Sequence, residues 1–538
     1  MKKINLVSAL AVVGAISLTS CGGKKRQQNN IDTSMAQLEI STFDGGVGDE
    51  WLKKAADLFM QKNKDRTDFE NGKTGCQIWI SRDRYGGDYL LESDFQKDIY
   101  FTENIDYYLL TNKNKLADIT DILTAENPED NNKKIIDKID DNLKNFMNRD
   151  GKYYAVPFYD CIYGLVYDKD LFDEKKLYMT NGGAFTNDPT QFGTGPNGVA
   201  GDWDDGLPKT YAQFESMMDM MRTKNITPFV YSNNTEVSFY TARALMSYWC
   251  DDEGYDQANL NYTFDGYATN IIENINGGNP TMSAGPVHIT KENGYVLRQQ
   301  KGFYNALKFA KNILCNNPEN YIASSNNTTA QTAFVTNKYS GGSNKPAAML
   351  FEGTWWENES TIAFDLAKSY GADSFRYGLM PIPKSDDSKV GEDATFLNLN
   401  NSYGIINANS QHMKLAKEFF QFLHTDERLR EFTVTTSMTR GLNYTLDAAD
   451  LSKVSEFAKD LIAIKQSEHV KTIYPVSGLD FFINNSDTFS PSTWIFGSKT
   501  KGNSPLVRFL AEPSLTAEAY FNDRLSLVDE AAWNRIPK

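Results

Sequence analysis

Apolar and polar positions alternate from Leu38 to Phe43, the period-two signature of a strand. A polar glycine loop follows, Asp44 to Gly48, and then Trp51, Leu52, Ala55, Ala56, Leu58 and Phe59 recur at helical spacing. Strand, glycine loop and helix make a βα unit, whose loop and free helix N–H groups face whatever lies beyond the strand's carboxyl end. Cys76–Ile80 and Asp98–Phe101 read as further strands with a helix between them, and the polar loop 102–106 follows the second. Tyr153–Phe158 is an aromatic and β-branched run that predicts a strand, with Pro157 confining it to an edge or a crossing. Cys161–Tyr167 is strand-like again. Locally the pair reads as two strands of one sheet; the alternative is a chain that leaves one lobe and enters another.

Later segments repeat the alternation. Thr210 and Gln213 form a capping box, and Phe214, Met217, Met218 and Met221 a core-facing stripe. Ile226–Tyr231 predicts a strand, Phe303, Leu307, Ala310 and Leu314 a helix, and Ala347–Trp356 a strand ending in Gly353, Thr354 and two tryptophans. Phe375–Pro383 runs into prolines, a candidate second crossing. Leu415, Phe419, Phe422 and Leu423 mark an amphipathic helix, 437–444 a candidate third crossing, and Val454, Phe457, Leu461 and Ile464 a helical tail. Alternating β and α patterns predict largely parallel sheets covered by helices, with ligands at the strand carboxyl ends.

At 538 residues the chain exceeds what one core serves, so two or more lobes are expected. A net charge of −15 argues against nucleic acid and anionic membrane surfaces as partners. Aromatics at 13% exceed what an average core needs and suit a site that covers a sugar-like face. Lys2 and Lys3 precede an apolar run, Ile4–Leu18, shorter than the about 20 residues that span a bilayer. With Leu18, Thr19, Ser20 and Cys21 this resembles a bacterial lipoprotein signal, which implies cleavage before Cys21 and a diacylglyceryl anchor on its thiol. Residues 22–36 read as a polar tether. Cys76, Cys161, Cys250 and Cys315 show no C-x-x-C spacing, and paired or free states both fit. The insertion 181–206 is rich in Gly, Asn and Asp. Its Asp202, Asp204 and Asp205 read as a solvated loop or as a calcium site outside the twelve-residue EF-hand pattern. No other cofactor is expected.

The segments WLKKAADLF (51–59), LADITDIL (116–123), GKYYAVP with GLVYDKDLF (151–172), LPKTYAQF (207–214), ITPFVYS (226–232), AAMLFEGTW (347–355) and AKEFFQFLHTDE (416–427) occur in an order that resembles the family 1 extracellular solute-binding proteins of bacterial ABC importers. That resemblance implies a two-lobed, periplasmic-binding-protein-like (type II) α/β fold, with hinge-linked parallel-sheet lobes and a central cleft. It places one lobe at 37–160 and 381–440, and the other at 161–380 and 441–538. It implies capture of a sugar or oligosaccharide at the outer face of the cytoplasmic membrane and delivery to ABC permease transmembrane subunits. By motif it offers as ligand-binding residues Asp44, Glu103, Asp106, Tyr159, Asp160, Tyr231, Phe239, Tyr240, Trp355, Trp356 and Arg440.

Two other readings remain. One is a surface-anchored carbohydrate-active enzyme with a carboxylate pair. The other is the same fold holding a peptide, polyamine or metal chelate. Against catalysis, His288, His412, His424 and His469 match no zinc motif, and the chain lacks a G-x-S-x-G elbow and a Walker A loop.

Overall fold

The computed structural model describes residues 31–43, 45–83, 96–103, 105–234, 239–341, 344–399, 402–485, 504–526 and 529–537, with the Phe239 side chain excepted. Cys21, Asp44 and most of the helix expected after Ile80 lie outside these residues.

Ten strands form two five-stranded sheets: β1 (Ala36–Phe43), β2 (Cys76–Asp83), β3 (Ile99–Glu103), β4 (Ala155–Pro157), β5 (Tyr163–Asp168), β6 (Thr227–Ser232), β7 (Tyr321–Ser324), β8 (Ala347–Gly353), β9 (Tyr377–Leu379) and β10 (Ser402–Ile406). The first sheet has the order β2-β1-β3-β10-β4 and the second β7-β6-β8-β5-β9. Both are mixed rather than parallel throughout. In the first, β1 runs parallel to β2 and β3, while β10 is antiparallel to β3 and β4. In the second, β6 is parallel to β7 and β8, while β5 is antiparallel to β8 and β9. Strand β8 is buried at every position, which explains its unbroken apolar reading.

The helix Glu50–Lys62 buries Trp51, Leu52, Ala55, Ala56 and Phe59. Leu58 is 46% exposed instead, because it sits about a quarter turn from the centre of that stripe. The methionine stripe of the helix Tyr211–Thr223 is core, as its spacing predicts. Thr210 caps this helix by accepting from the Gln213 N–H, and Gln213 accepts from the Lys209 N–H. Cys76, Cys161, Cys250 and Cys315 are free thiols, the first three buried.

The chain passes between the sheets three times, and the three passages are bonded to one another. Residues 158–162 link β4 to β5. Alongside them, Phe158 N–H donates to the Ser402 carbonyl and Leu399 N–H to the Cys161 carbonyl. On the other flank Asp160 N–H donates to the Thr439 carbonyl and Gly441 N–H to the Phe158 carbonyl. The second passage therefore lies between Leu399 and Ser402, whose backbones make these bonds. The proline run 375–383, expected there, contributes β9 to the second sheet. Residues 394–397 also stay on that side, where they pair with Val470–Ile473 and Thr395 N–H donates to Asp251. The third passage leads to the helix Glu456–Gln466, which lies along β9. The tail helices Pro505–Ala511 and Ala517–Leu525 pack on the helical layer of the second sheet. Among the described residues no helix is long and apolar enough to cross a membrane.

Candidate functional site

A cavity of about 700 Å³ opens between the two sheets. Gly46, Gly48 and Arg82 line it from the carboxyl ends of β1 and β2. Asn327, Thr328, Gln331, Asn358 and Glu359 line it from the second sheet's side. Asn327 and Thr328 open the helix Asn327–Ser340, which follows β7 and is capped by Asn326 accepting from the Thr329 N–H. The cap occupies the Thr329 N–H, and Asn327 and Thr328 bring an amide and a hydroxyl to the cavity wall. Gly46 shows why the loop after β1 needs glycine. Its φ is +80°, and a Cβ there would lie 3.1 Å from Glu359 Cγ and 3.2 Å from the Trp355 carbonyl of the opposite wall. The walls also meet where Asn358 Nδ2 donates to the Thr436 carbonyl at 2.8 Å.

Behind Glu359 lies an aromatic cluster. Trp355 stands edge-on to Tyr163, with ring centroids 4.8 Å apart, and to Tyr240 at 5.9 Å. Its ring folds back over Gly353, where any Cβ would overlap the indole, and only 6% of the residue is exposed. Arg243 lies over the Tyr163 ring at 5.0 Å and donates to its hydroxyl.

Three glutamates gather around this cluster. Gln331 Nε2 donates to Glu352 at 2.9 Å and to Glu359 at 3.3 Å, tying the two carboxyls together. Burial, then mutual repulsion, pushes Glu352 up to about 8. Burial likewise raises Glu359 to about 7, against the opposing hydrogen bonds from Gln331 and Trp355. Glu103, at the end of β3, is pushed up to about 8 by burial and by Glu359, with Arg243 pulling the other way. Near neutral pH Glu352 and Glu103 hold their protons and Glu359 is divided between its two forms, so the site offers both donors and acceptors rather than a block of negative charge.

Folding raises these glutamates above the ordinary glutamate value of 4.5, so the folded chain takes up protons. The stability they confer is complete below about pH 4.5 and is lost as pH rises through about 8. Glu103→Gln is expected to flatten the fall in melting temperature between pH 5 and 9, and to raise the melting temperature at the alkaline end. A slope identical to that of the unmodified protein would contradict this placement of Glu103.

The structure brings only part of the expected set to this region: Glu103, Tyr240 and Trp355. Asp106 is exposed and caps the helix Tyr107–Asn112 by accepting from the Leu109 N–H. Tyr231 packs within the second sheet against Tyr321 and Phe229. Tyr159 is buried in the first passage against Phe158. Asp160 is buried there too, accepting from Asn398 Nδ2 at 2.8 Å and Lys465 Nζ at 2.6 Å. Arg440 is fully buried in the third passage: its Nε donates to the Phe158 carbonyl at 2.6 Å, and its guanidinium sits among Trp51, Phe101, Phe158 and Phe432. Trp356 is fully buried in the core, not a stacking surface. Trp355, which caps the short helix Trp356–Glu359, packs instead against Tyr163 and Tyr240.

Sequence reasoning missed Arg82, Asn327, Thr328, Gln331, Asn358 and Glu359. Asn327, Thr328 and Gln331 share one face at the start of a helix, a spacing that a search for polar i, i+1, i+4 sets would find.

A family model described as bacterial extracellular solute-binding protein matches residues 46–428. No curated protein matches the chain. Among solved structures, apo RafE from Streptococcus pneumoniae aligns with a TM-score of 0.53 at 12% identity, covering 92% of this chain and 98% of that one. A structure from work on xylan utilisation by Caldanaerobius polysaccharolyticus gives 0.53 at 12% identity, over 92% and 100% of the two chains. A chitin oligosaccharide binding protein gives 0.52 at 13% identity, over 92% and 99%. Identities this low establish a common fold. The family match covers most of the chain, and on that ground the chain belongs to the bacterial extracellular solute-binding proteins.

Proposed function

We propose that the protein captures a neutral, hydroxyl-rich solute, a sugar or oligosaccharide, in the cavity between its two sheets and delivers it to an ABC import permease. The observation that carries this reading is the cavity wall: side-chain amides, a hydroxyl and a glutamate whose carboxyl burial raises to about 7, so that it both donates and accepts near neutral pH. Such groups satisfy sugar hydroxyls, and the aromatic cluster behind Glu359 supports the wall that carries them. Proteins of similar fold include RafE in complex with raffinose and a chitin oligosaccharide binding protein, which agrees with this chemistry. The bonded passages at 158–162, at Leu399 and Ser402, and at 439–441 would serve as the hinge about which two lobes close on the ligand. Cys21 would carry the lipid that holds the protein at the outer face of the cytoplasmic membrane, and no catalytic step is part of this function.

A panel of oligosaccharides tested by thermal shift is expected to contain a stabilising ligand, with no release of reducing ends. Turnover by the pure protein would move the assignment to a carbohydrate-active enzyme. A response confined to peptides, polyamines or metal chelates would keep the fold and remove the sugar. Trp355→Ala is expected to weaken the ligand found by about 2 kcal/mol, roughly 30-fold in Kd by calorimetry, because the indole supports Glu359 at the cavity wall. Unchanged affinity would remove Trp355 from the site.

A further inference from the structure

Residues 474–482 leave the second sheet's side of the molecule, touch the first, and return. Just before them Val470–Ile473 pairs with Ala394–Leu397, and Asn398 N–H donates to the Ile473 carbonyl at 2.8 Å. Tyr474 follows in the interior, where burial and then the charges of Asp160 and Asp140 push its hydroxyl well up. Asp140 caps the helix Asp141–Met147 by accepting from the Asn142 N–H. That helix belongs to the first sheet's side: Tyr107 and Tyr108, in the helix after β3, donate their hydroxyls to the Met147 and Phe146 carbonyls. Gly478, at the far point of the segment, rests on the same helix. A Cβ there would fall 3.0 Å from the Asn145 carbonyl oxygen, a backbone atom that cannot swing aside. The chain then turns back. Phe481 packs on Phe264 and Trp533, with ring centroids 5.6 and 5.1 Å away, and Phe482 packs on Phe264 at 4.8 Å. Phe264 ends the helix Tyr255–Thr263, which packs on the second side's helix Phe239–Glu253. The Tyr255 hydroxyl also accepts from Asn142 Nδ2, at 3.4 Å. The helix Asp141–Met147 is thus held at two points from the other side of the passages.

We propose that residues 474–482 act as a latch, which holds the molecule in the conformation where the cavity walls meet and so tunes the affinity of the cavity from outside it. Both ends of the segment are fixed on one side and its tip rests on the other, so rotation about the passages shifts or parts the contact at Gly478. That contact coexists with the meeting of the walls, where Asn358 Nδ2 reaches the Thr436 carbonyl. A contact made in only one of two conformations favours that one, and a solute that needs it binds in proportion to its population. None of the residues lining the cavity lies in the segment or in the helix beneath its tip. Loosening the tip therefore weakens binding without removing a ligand contact. The effect on affinity rests on the proposed capture of solute between the sheets, whereas the effect on shape does not.

The test compares the full-length protein with Gly478→Val, whose branched side chain cannot fit against the Asn145 carbonyl. Gly478→Ala, a smaller intrusion at the same point, serves if the valine variant does not fold. Without any sugar, small-angle X-ray scattering is expected to give the folded variant the larger radius of gyration, and deuterium is expected to enter residues 141–147 faster. With the best oligosaccharide of the panel, calorimetry is expected to give a Kd higher by about fivefold or more. Scattering and exchange identical to those of the unmodified protein would overturn the latch. So would a more open molecule that binds the oligosaccharide as tightly as before. If no oligosaccharide binds the unmodified protein, the sugar reading fails, and the sugar-free scattering and exchange still decide the latch.

Discussion

Trp356→Ala is expected to reduce the stability of the protein by about 3–5 kcal/mol, the range for truncating a fully buried large aromatic. The indole is 0% exposed and meets four rings edge-on or nearly so: Tyr377 at 4.8 Å, Phe334 at 5.6 Å, Phe364 at 5.7 Å and Phe457 at 5.9 Å. Those rings come from β9 and from three helices distributed from residue 327 to 466, including the last passage's helix. Removing the indole therefore opens a void that no single neighbour can fill. Chemical denaturation should show a lower midpoint with an unchanged slope. A loss under 1 kcal/mol would mean that Trp356 is not core. Trp355 differs in that its truncation is expected to weaken ligand binding as well as stability.

Lys465→Met is expected to cost about 3–5 kcal/mol, because it leaves a buried carboxylate without its counter-charge. Lys465 Nζ donates to Asp160 at 2.6 Å and to the Arg440 carbonyl at 2.7 Å, joining the first and third passages through one ammonium. Asp160 is 4% exposed, and its remaining side-chain donor is the Asn398 amide of the second passage. Its own carbonyl accepts from the Thr354 hydroxyl at the end of β8. One buried ion pair thus ties all three passages. The double variant Asp160→Asn/Lys465→Met is expected to recover part of the loss, since it removes both charges together. A double variant no more stable than Lys465→Met would show that the pairing contributes nothing.

Much of the scaffold was legible because burial imposes a period on the chain. β1, the helix Glu50–Lys62 and the methionine stripe carry their spacing openly. Strand direction was not legible. β10 inserts between β3 and β4 from about 250 residues further along the chain than β4, and no local pattern records such a partner. The second passage escaped notice because prolines at 381 and 383 resembled a crossing, whereas the true one is polar. There the Asn398 side chain accepts from the Cys161 N–H at 2.9 Å, a job that composition alone assigns to a surface loop. The site was half legible for a related reason. Glycine, threonine and tryptophan after a buried strand announce a strand end that faces a cleft, and Glu103 sits at another. The amides opposite them look in sequence like any helix start. Arg440 and Trp356 were misplaced because residue type does not report which way a side chain points, and ring-lined cores accept an arginine stem as readily as a ring does.

The central claim is that solute is held between the two sheets by both walls at once. Hydrogen–deuterium exchange, measured with and without the best ligand of the oligosaccharide panel, tests it most directly. Ligand is expected to slow exchange together at Gly46–Gly48 on the first wall and at Asn327–Gln331 and Asn358–Glu359 on the second. Protection confined to one wall, or appearing only elsewhere on the molecule, would contradict it.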